Sequence, residues 1–182
     1  MRAGNALLNG PALCERLGIC EGQHLAELGA GRLGHVAMSA AHVVGDTGHV
    51  FAVDLIPHAV TALKKRILHS NHRNMSAVWG DYQTYQGIDL PGGILDHIVL
   101  VNELWKTDAP EKMAQEWRRL LKPGGVVTLV DWHPNSIHPV APLAEYRREL
   151  LPMMRLFARG GAQVQDLKWQ DPFWAMQLAF KD

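Results

Sequence analysis

Apolar residues along this chain fall into short uninterrupted runs that alternate with stretches of helical periodicity. The runs "QHLAEL" (residues 23–28), "HVFAVD" (49–54), "MSAVWGD" (75–81), "LDHIVLVN" (95–102) and "VVTLVD" (126–131) predict five strands. Between them, helices are predicted from about Leu33 through "GHVAMSAAHVV", over 57–70, and over 109–121, where Met113, Trp117 and Leu120 repeat at helical spacing. Pro57 suits a first helical turn, and "KPGG" stops the last of these helices. Strands that are apolar throughout, rather than alternately, belong to a parallel sheet covered on both faces. The end of the chain differs. After a predicted helix over 143–158 and the break "RGG", the stretches "AQVQDLKW" and "FWAMQLAF" are joined only by "QDP". So short a connection joins antiparallel neighbours. The expected fold is α/β, a Rossmann-like three-layer sandwich with a mostly parallel seven-stranded sheet and an antiparallel C-terminal hairpin.

Composition narrows this picture without changing it. The 182 residues suit one domain over 1–182, with 1–21 as an N-terminal helical segment packing on or over the site. Hydrophobic residues make up 47% and charged residues 20%, with 18 basic residues against 18 acidic. That balance carries no electrostatic footprint for a nucleic-acid backbone. Cys14 and Cys20 form neither a disulfide framework nor a CxxC pair, the N-terminus lacks the apolar core of a signal peptide, and no run approaches membrane-spanning length. A cytoplasmic protein without a membrane span is the expectation, with a homo-oligomer left open.

Candidate chemistry gathers where predicted strands end. The first runs into Glu27, Leu28, Gly29, Ala30 and Gly31, the second ends in Asp54, the third in Asp81, and the fourth in Asn102 and Glu103. Open parallel sheets bind ligands beyond these carboxyl ends. Gly29, Gly31 and Gly34 match the G-x-G-x-x-G pattern, and Asp54 follows Gly34 by 20 residues, as in a dinucleotide site. Against a dinucleotide stand Glu27, which would repel a pyrophosphate, the further acid Asp81, and the lack of a separate substrate domain. S-adenosylmethionine, with its ammonium and sulfonium, suits the acids better. Glu27 can favour its cationic end, Asp54 can accept from the ribose hydroxyls, and Asp81 from the adenine amine. Glycines 29 and 31 leave room for the methionine part, whose carboxylate can face the following helix N-terminus.

"AELGAGRLG", "VFAVDL", "GDY" and "LKPGG" stand in the order and spacing of class I S-adenosylmethionine-dependent methyltransferases, and the chain resembles that family along nearly its whole length. "LKPGG" ahead of the fifth strand resembles the small-molecule and quinone-biosynthesis-like branch. The resemblance implies Glu27, Gly29 and Gly31 around the methionine moiety and Asp54 on the ribose. It further implies Leu55 against the adenine, Asp81 and Tyr82 at its edge, and Asn102 near the transferable methyl. One departure is that Leu33 stands where the family has its third glycine, with Gly34 one place later. No metal is implied.

Methyl transfer from a sulfonium is an in-line displacement in which the protein mainly aligns the acceptor and excludes water. The acceptor side is expected in the loops after the fourth and fifth strands. "NELWK" offers Glu103, Trp105 and Lys106, and "DWHPNSIH" offers Asp131, Trp132, His133 and His138. Glu103 and His133 are the candidate catalytic residues, His133 as a base because free imidazole titrates near neutrality. An ordinary histidine in an exposed, proline-containing loop is the stronger reading of His133, and Trp105 and Trp132 either line an aromatic pocket or pack loop on sheet. A metal site of Asp131, His133 and His138 is a weaker reading, since ten histidines make near-clusters common. "NELW" is not the Asn/Asp-Pro-Pro-aromatic motif of nucleobase or glutamine amino methylation, and no cysteine follows the fourth or fifth strand to attack cytosine. Cys14 and Cys20 leave thiol-dependent arsenite chemistry open. The expected activity is methyl transfer to a small molecule, against a minimal NAD(P)-dependent oxidoreductase or a non-catalytic binding protein of the same fold.

Overall fold

The computed structural model describes residues 7–107, 109–169 and 172–181. Five helices, α1 (Gly10–Arg16), α2 (His35–Val44), α3 (Pro57–His69), α4 (Pro110–Leu120) and α5 (Leu150–Arg159), accompany seven strands. The strands are β1 (His24–Leu28), β2 (His49–Asp54), β3 (Met75–Trp79), β4 (Leu95–Val101), β5 (Leu121–Trp132), β6 (Ala162–Asp166) and β7 (Phe173–Phe180). They form one sheet in the order β3-β2-β1-β4-β5-β7-β6. β3 through β5 are mutually parallel, while β7 runs antiparallel to both β5 and β6.

Alternation along the strands divides the core in two. Leu25, Val50, Ala52, Val99, Val101 and Val130 point to the face covered by α1, α2 and α3. Ala26, Leu28, Val53, Ile98, Leu100 and Leu129 point to the face covered by α4 and α5, where Trp117 and Phe157 fill the centre. This is the expected three-layer sandwich. Because β7 is antiparallel, the β6–β7 hairpin turns back at the same sheet edge where β1, β2, β4 and β5 end.

Three helices, α1, α3 and α4, carry proline at their first or second position, where its missing N–H costs nothing. Asn9 caps α1 by accepting from Ala12 N at 3.1 Å. Two local expectations are corrected. The helix expected over 143–158 is only a 3₁₀ turn at Ala144–Tyr146 followed by α5. Pro152 is the cause: its ring excludes a preceding helical turn, so the helix starts just ahead of it. β5 begins earlier than expected, at Leu121, which pairs with Leu95 before pairing resumes at Val126 and His97. "KPGG" is thus an irregularity inside a strand, with Gly124 at φ +79°.

Candidate active site

The turn after β1 is built around close approaches. Gly29 and Ala30 both donate backbone N–H bonds to the Val53 carbonyl, each at 3.0 Å. Gly29 has φ +77°, and a Cβ there would lie 2.5 Å from Glu103 Oε2, so only glycine fits beneath that side chain. A Cβ on Gly31, by contrast, would meet nothing within 4 Å. Gly34, not Leu33, is the N-cap of α2, at φ +53°, and Leu63 Cδ2 lies 2.9 Å from where its Cβ would stand. The one-place shift of the third glycine therefore sets where the helix begins.

Glu27 is buried and turned back on its own chain. Its carboxylate accepts from Ala37 N at 2.7 Å and Val36 N at 3.4 Å, capping α2. This corrects the expectation for the helix N-terminus: the carboxylate meeting those two amides is the chain's own. Asp54, at the end of β2, accepts from Gly31 N at 2.7 Å and Ile56 N at 2.8 Å, so it ties the glycine turn to the β2–α3 loop. Leu55 is partly exposed, and its carbonyl accepts from Trp79 Nε1 at 2.9 Å. Asp81 accepts from Gln83 N and Thr84 Oγ1, stiffening its own turn. Tyr82 lies beneath, with its hydroxyl donating to Glu103 Oε2 at 2.5 Å. Asn102 is buried at φ +60° and donates its backbone N–H to the Val130 carbonyl at 2.8 Å.

Glu103 is the centre of this arrangement. It is 3% exposed, lies on Gly29, and its Oε1 accepts from Lys106 Nζ at 2.5 Å. Burial pushes its carboxyl up to about 7, with the negative charge of Asp54 adding to the rise and Lys106 and Tyr82 opposing it. Burial likewise pushes Glu27 up to about 7, with Glu103 and Asp54 adding to it. Glu27, Asp54 and Glu103 thus form one acidic group at the carboxyl ends of β1, β2 and β4. Asp131, also fully buried, is pushed up to about 6 by burial and accepts from Leu104 N and Trp132 N.

His133 stands elsewhere on this edge. It lines a cleft of about 670 Å³ with Leu150, Asp166, Lys168, Trp169, Phe173 and Trp174. Its Nδ1 accepts from Asn135 N at 3.3 Å, and its backbone N–H donates to the Pro172 carbonyl. Of the two readings for Trp132, pocket wall or packing residue, the structure shows the second: it is buried against Phe173 with ring centroids 4.6 Å apart. Among the described residues, no three metal-ligating side chains come together, and Asp131 faces inward, away from such a role. Cys14 is buried, and burial pushes its thiol up to about 11, so it is a poor source of thiolate. Sequence reasoning missed the capping role of Glu27 and the aromatic lining from Trp169, Phe173 and Trp174. The signal for the second was the antiparallel hairpin itself, which returns "KW" and "FW" to the ligand edge.

A family model described as a methyltransferase domain matches residues 26–125, more than half of the chain, from within β1 to the start of β5. The chain belongs to the class I S-adenosylmethionine-dependent methyltransferase family. Within this family it is similar to protein-L-isoaspartate O-methyltransferase of Methanothrix thermoacetophila, 28% identical over 76% of this chain and 56% of that protein. It is also similar to ubiquinone/menaquinone biosynthesis C-methyltransferase of Coxiella burnetii, 26% identical over 73% of this chain and 52% of the other. The chain spans about half the length of the curated relatives it matches. A methyltransferase of Aquifex aeolicus shares the fold with a TM-score of 0.83 at 18% identity, covering 94% of this chain and 88% of that one.

The residues present fit the methyltransferase cofactor. Asp54 on the Gly31 amide and Glu103 against Gly29 suit a ligand with cationic and hydroxyl groups, and the Cα of Gly31 opens onto free space. No helix among the described residues is long and apolar enough to cross a membrane.

Proposed function

We propose that this methyltransferase transfers a methyl group to a small aromatic or apolar acceptor inside the cytoplasm. The observation that carries the acceptor class is the cleft of about 670 Å³ where β5 ends and the β6–β7 hairpin turns back, walled by Trp169, Phe173, Trp174 and Leu150. That volume falls within the range of small-molecule sites, which are concave, mostly apolar and supplied with few polar groups. The polar groups here are His133 and the Asp166–Lys168 pair at 2.7 Å.

The cofactor supplies an electrophilic methyl, and the chain's residues bind and orient. Asp54 holds the ribose hydroxyls with the lone pairs that Gly31 N and Ile56 N leave free, and Leu55, backed by Trp79, lies against the adenine. Asp81 and Tyr82 belong to the adenine side through the turn they share, and Asn102 stands near the methyl. Glu27, Gly29, Ala30 and Gly31 frame the methionine portion. His133 takes the acceptor's proton where the attacking atom arrives protonated. The single domain 1–182 includes the N-terminal segment as one wall: α1 packs on α2, and His35 Nε2 meets the Leu8 carbonyl at 2.6 Å, while residues 1–6 of that segment lie outside the described residues.

Calorimetric titration with S-adenosylhomocysteine tests the pocket. Asp54→Ala should weaken binding by about 2–3 kcal/mol through loss of a charge-assisted pair of hydrogen bonds. Incubation with labelled S-adenosylmethionine and quinols, phenols, amines and thiols then tests the acceptor. Turnover confined to a protein substrate, such as the name of the Methanothrix relative suggests, would replace the small-molecule reading.

A further inference from the structure

Three carboxylates share the cofactor edge, but they are held differently. Both oxygens of Asp54 and both of Glu27 accept from backbone amides, which fix their positions and delocalise their charge into the turn and helix α2. Glu103 is held only by side chains, the Tyr82 hydroxyl on Oε2 and the Lys106 ammonium on Oε1. Its counter-ion is half in water: the Lys106 side chain is 42% exposed against 3% for Glu103. A buried carboxylate beside two others, balanced by one solvent-screened ammonium, leaves a net negative field over Gly29. The ammonium also lies over the Trp105 ring, 5.7 Å from its centroid.

We propose that Glu103 is the residue that distinguishes the sulfonium donor from its neutral thioether product, with Lys106 as the internal cation that sets how strongly it does so. The inference rests on the reading that Gly29 frames the methionine portion of the cofactor. S-adenosylmethionine and S-adenosylhomocysteine carry the same ammonium, carboxylate, ribose and adenine. They differ by one methyl group and one positive charge, so a carboxylate at Gly29 attracts the shared ammonium of both but the sulfonium of the donor alone. Amide-bound Glu27 and Asp54 act alike on both ligands through the groups those ligands share. Glu103, whose partners are the side chains of Tyr82 and Lys106, adds the difference. Product release is thereby favoured over donor release after each transfer.

Titration calorimetry of both ligands against wild type, Glu103→Gln and Lys106→Met at pH near 8, above the Glu103 carboxyl at about 7, provides the test. Glu103→Gln should reduce the preference for S-adenosylmethionine over S-adenosylhomocysteine by on the order of tenfold, chiefly through weaker donor binding. Lys106→Met removes the cation that opposes protonation of Glu103, so the preference should also fall near pH 8 but recover as the pH is raised, unlike in Glu103→Gln, and the variant should lower the melting temperature by about 3 °C or more in the absence of either ligand. Equal weakening of both ligands in Glu103→Gln, or no change in their ratio in either variant, would overturn the role of Glu103 while leaving the cofactor site intact. Binding of neither ligand by the wild-type protein would instead overturn the cofactor reading, and this inference with it.

Discussion

Gly29 shows how one backbone position controls the site. Its φ of +77° lies in the left-handed region, and a methyl group there would press into Glu103. Gly29→Ala therefore costs backbone strain and also displaces the carboxylate that Tyr82 and Lys106 hold. We expect a loss of about 1–3 kcal/mol in unfolding free energy, read by urea denaturation, together with weakened S-adenosylhomocysteine binding. Gly31→Ala offers the contrast. It shares a positive φ of +61° but has open space above it, so its strain should come without disturbance of Glu103. The glycines themselves were legible in the sequence, because a G-x-G pattern after a strand signals a close backbone approach. The partner that approaches was not. Glu103 arrives from β4, and only the adjacency of β1 and β4 in the sheet brings it over Gly29.

At the scale of elements, α4 shows how a helix is pinned to the loop that carries Tyr82. Glu116 is fully buried and accepts from Gln86 N at 2.8 Å and Ile88 N at 3.2 Å. Arg119 pairs with Glu116 at 2.6 Å and donates to the Ile88 and Leu90 carbonyls. The clamp fixes residues 86–90, and the Gly80–Ile88 bridge passes this order to the turn of Asp81 and Tyr82. Arg119→Ala leaves Glu116 buried without its cation and should destabilise the fold by about 2–4 kcal/mol, measured as a shift in denaturation midpoint at constant slope. The periodicity of Met113, Trp117 and Leu120 predicted α4, but it placed Glu116 and Arg119 on no particular partner. Pro152 is the opposite case. It is a purely local signal, and given its weight it limits the helix over 143–158 to the observed α5.

For the whole molecule, the clustering of buried acids makes stability depend on pH in a definite direction. The carboxyl of Glu27 sits at about 7 in the fold, chiefly through burial, whereas in the unfolded chain it titrates near ~4.3. A raised carboxyl binds its proton more tightly when folded, so its contribution is complete below the unfolded value and is lost as pH rises through the folded one. Glu27→Gln removes this titration while keeping an acceptor for the α2 amides. Wild type should therefore lose stability relative to Glu27→Gln between about pH 4 and pH 7, as differential scanning calorimetry at both would show. A melting-temperature gap that stays flat with pH would mean that Glu27 is already ionised at low pH in the fold.

The sequence by itself determined the two periodicities, hence the layered sheet, the glycine turn and the family, because these depend on local spacing and on which faces must be buried. It also located the acids at the strand ends. The tertiary structure alone decided what each acid does. Glu27 turns inward to cap α2, Asp54 ties two loops together, and Glu103 settles on Gly29 between Tyr82 and Lys106. Those outcomes depend on strand order and side-chain direction, which join residues far apart in the chain and leave no trace in the spacing of their neighbours.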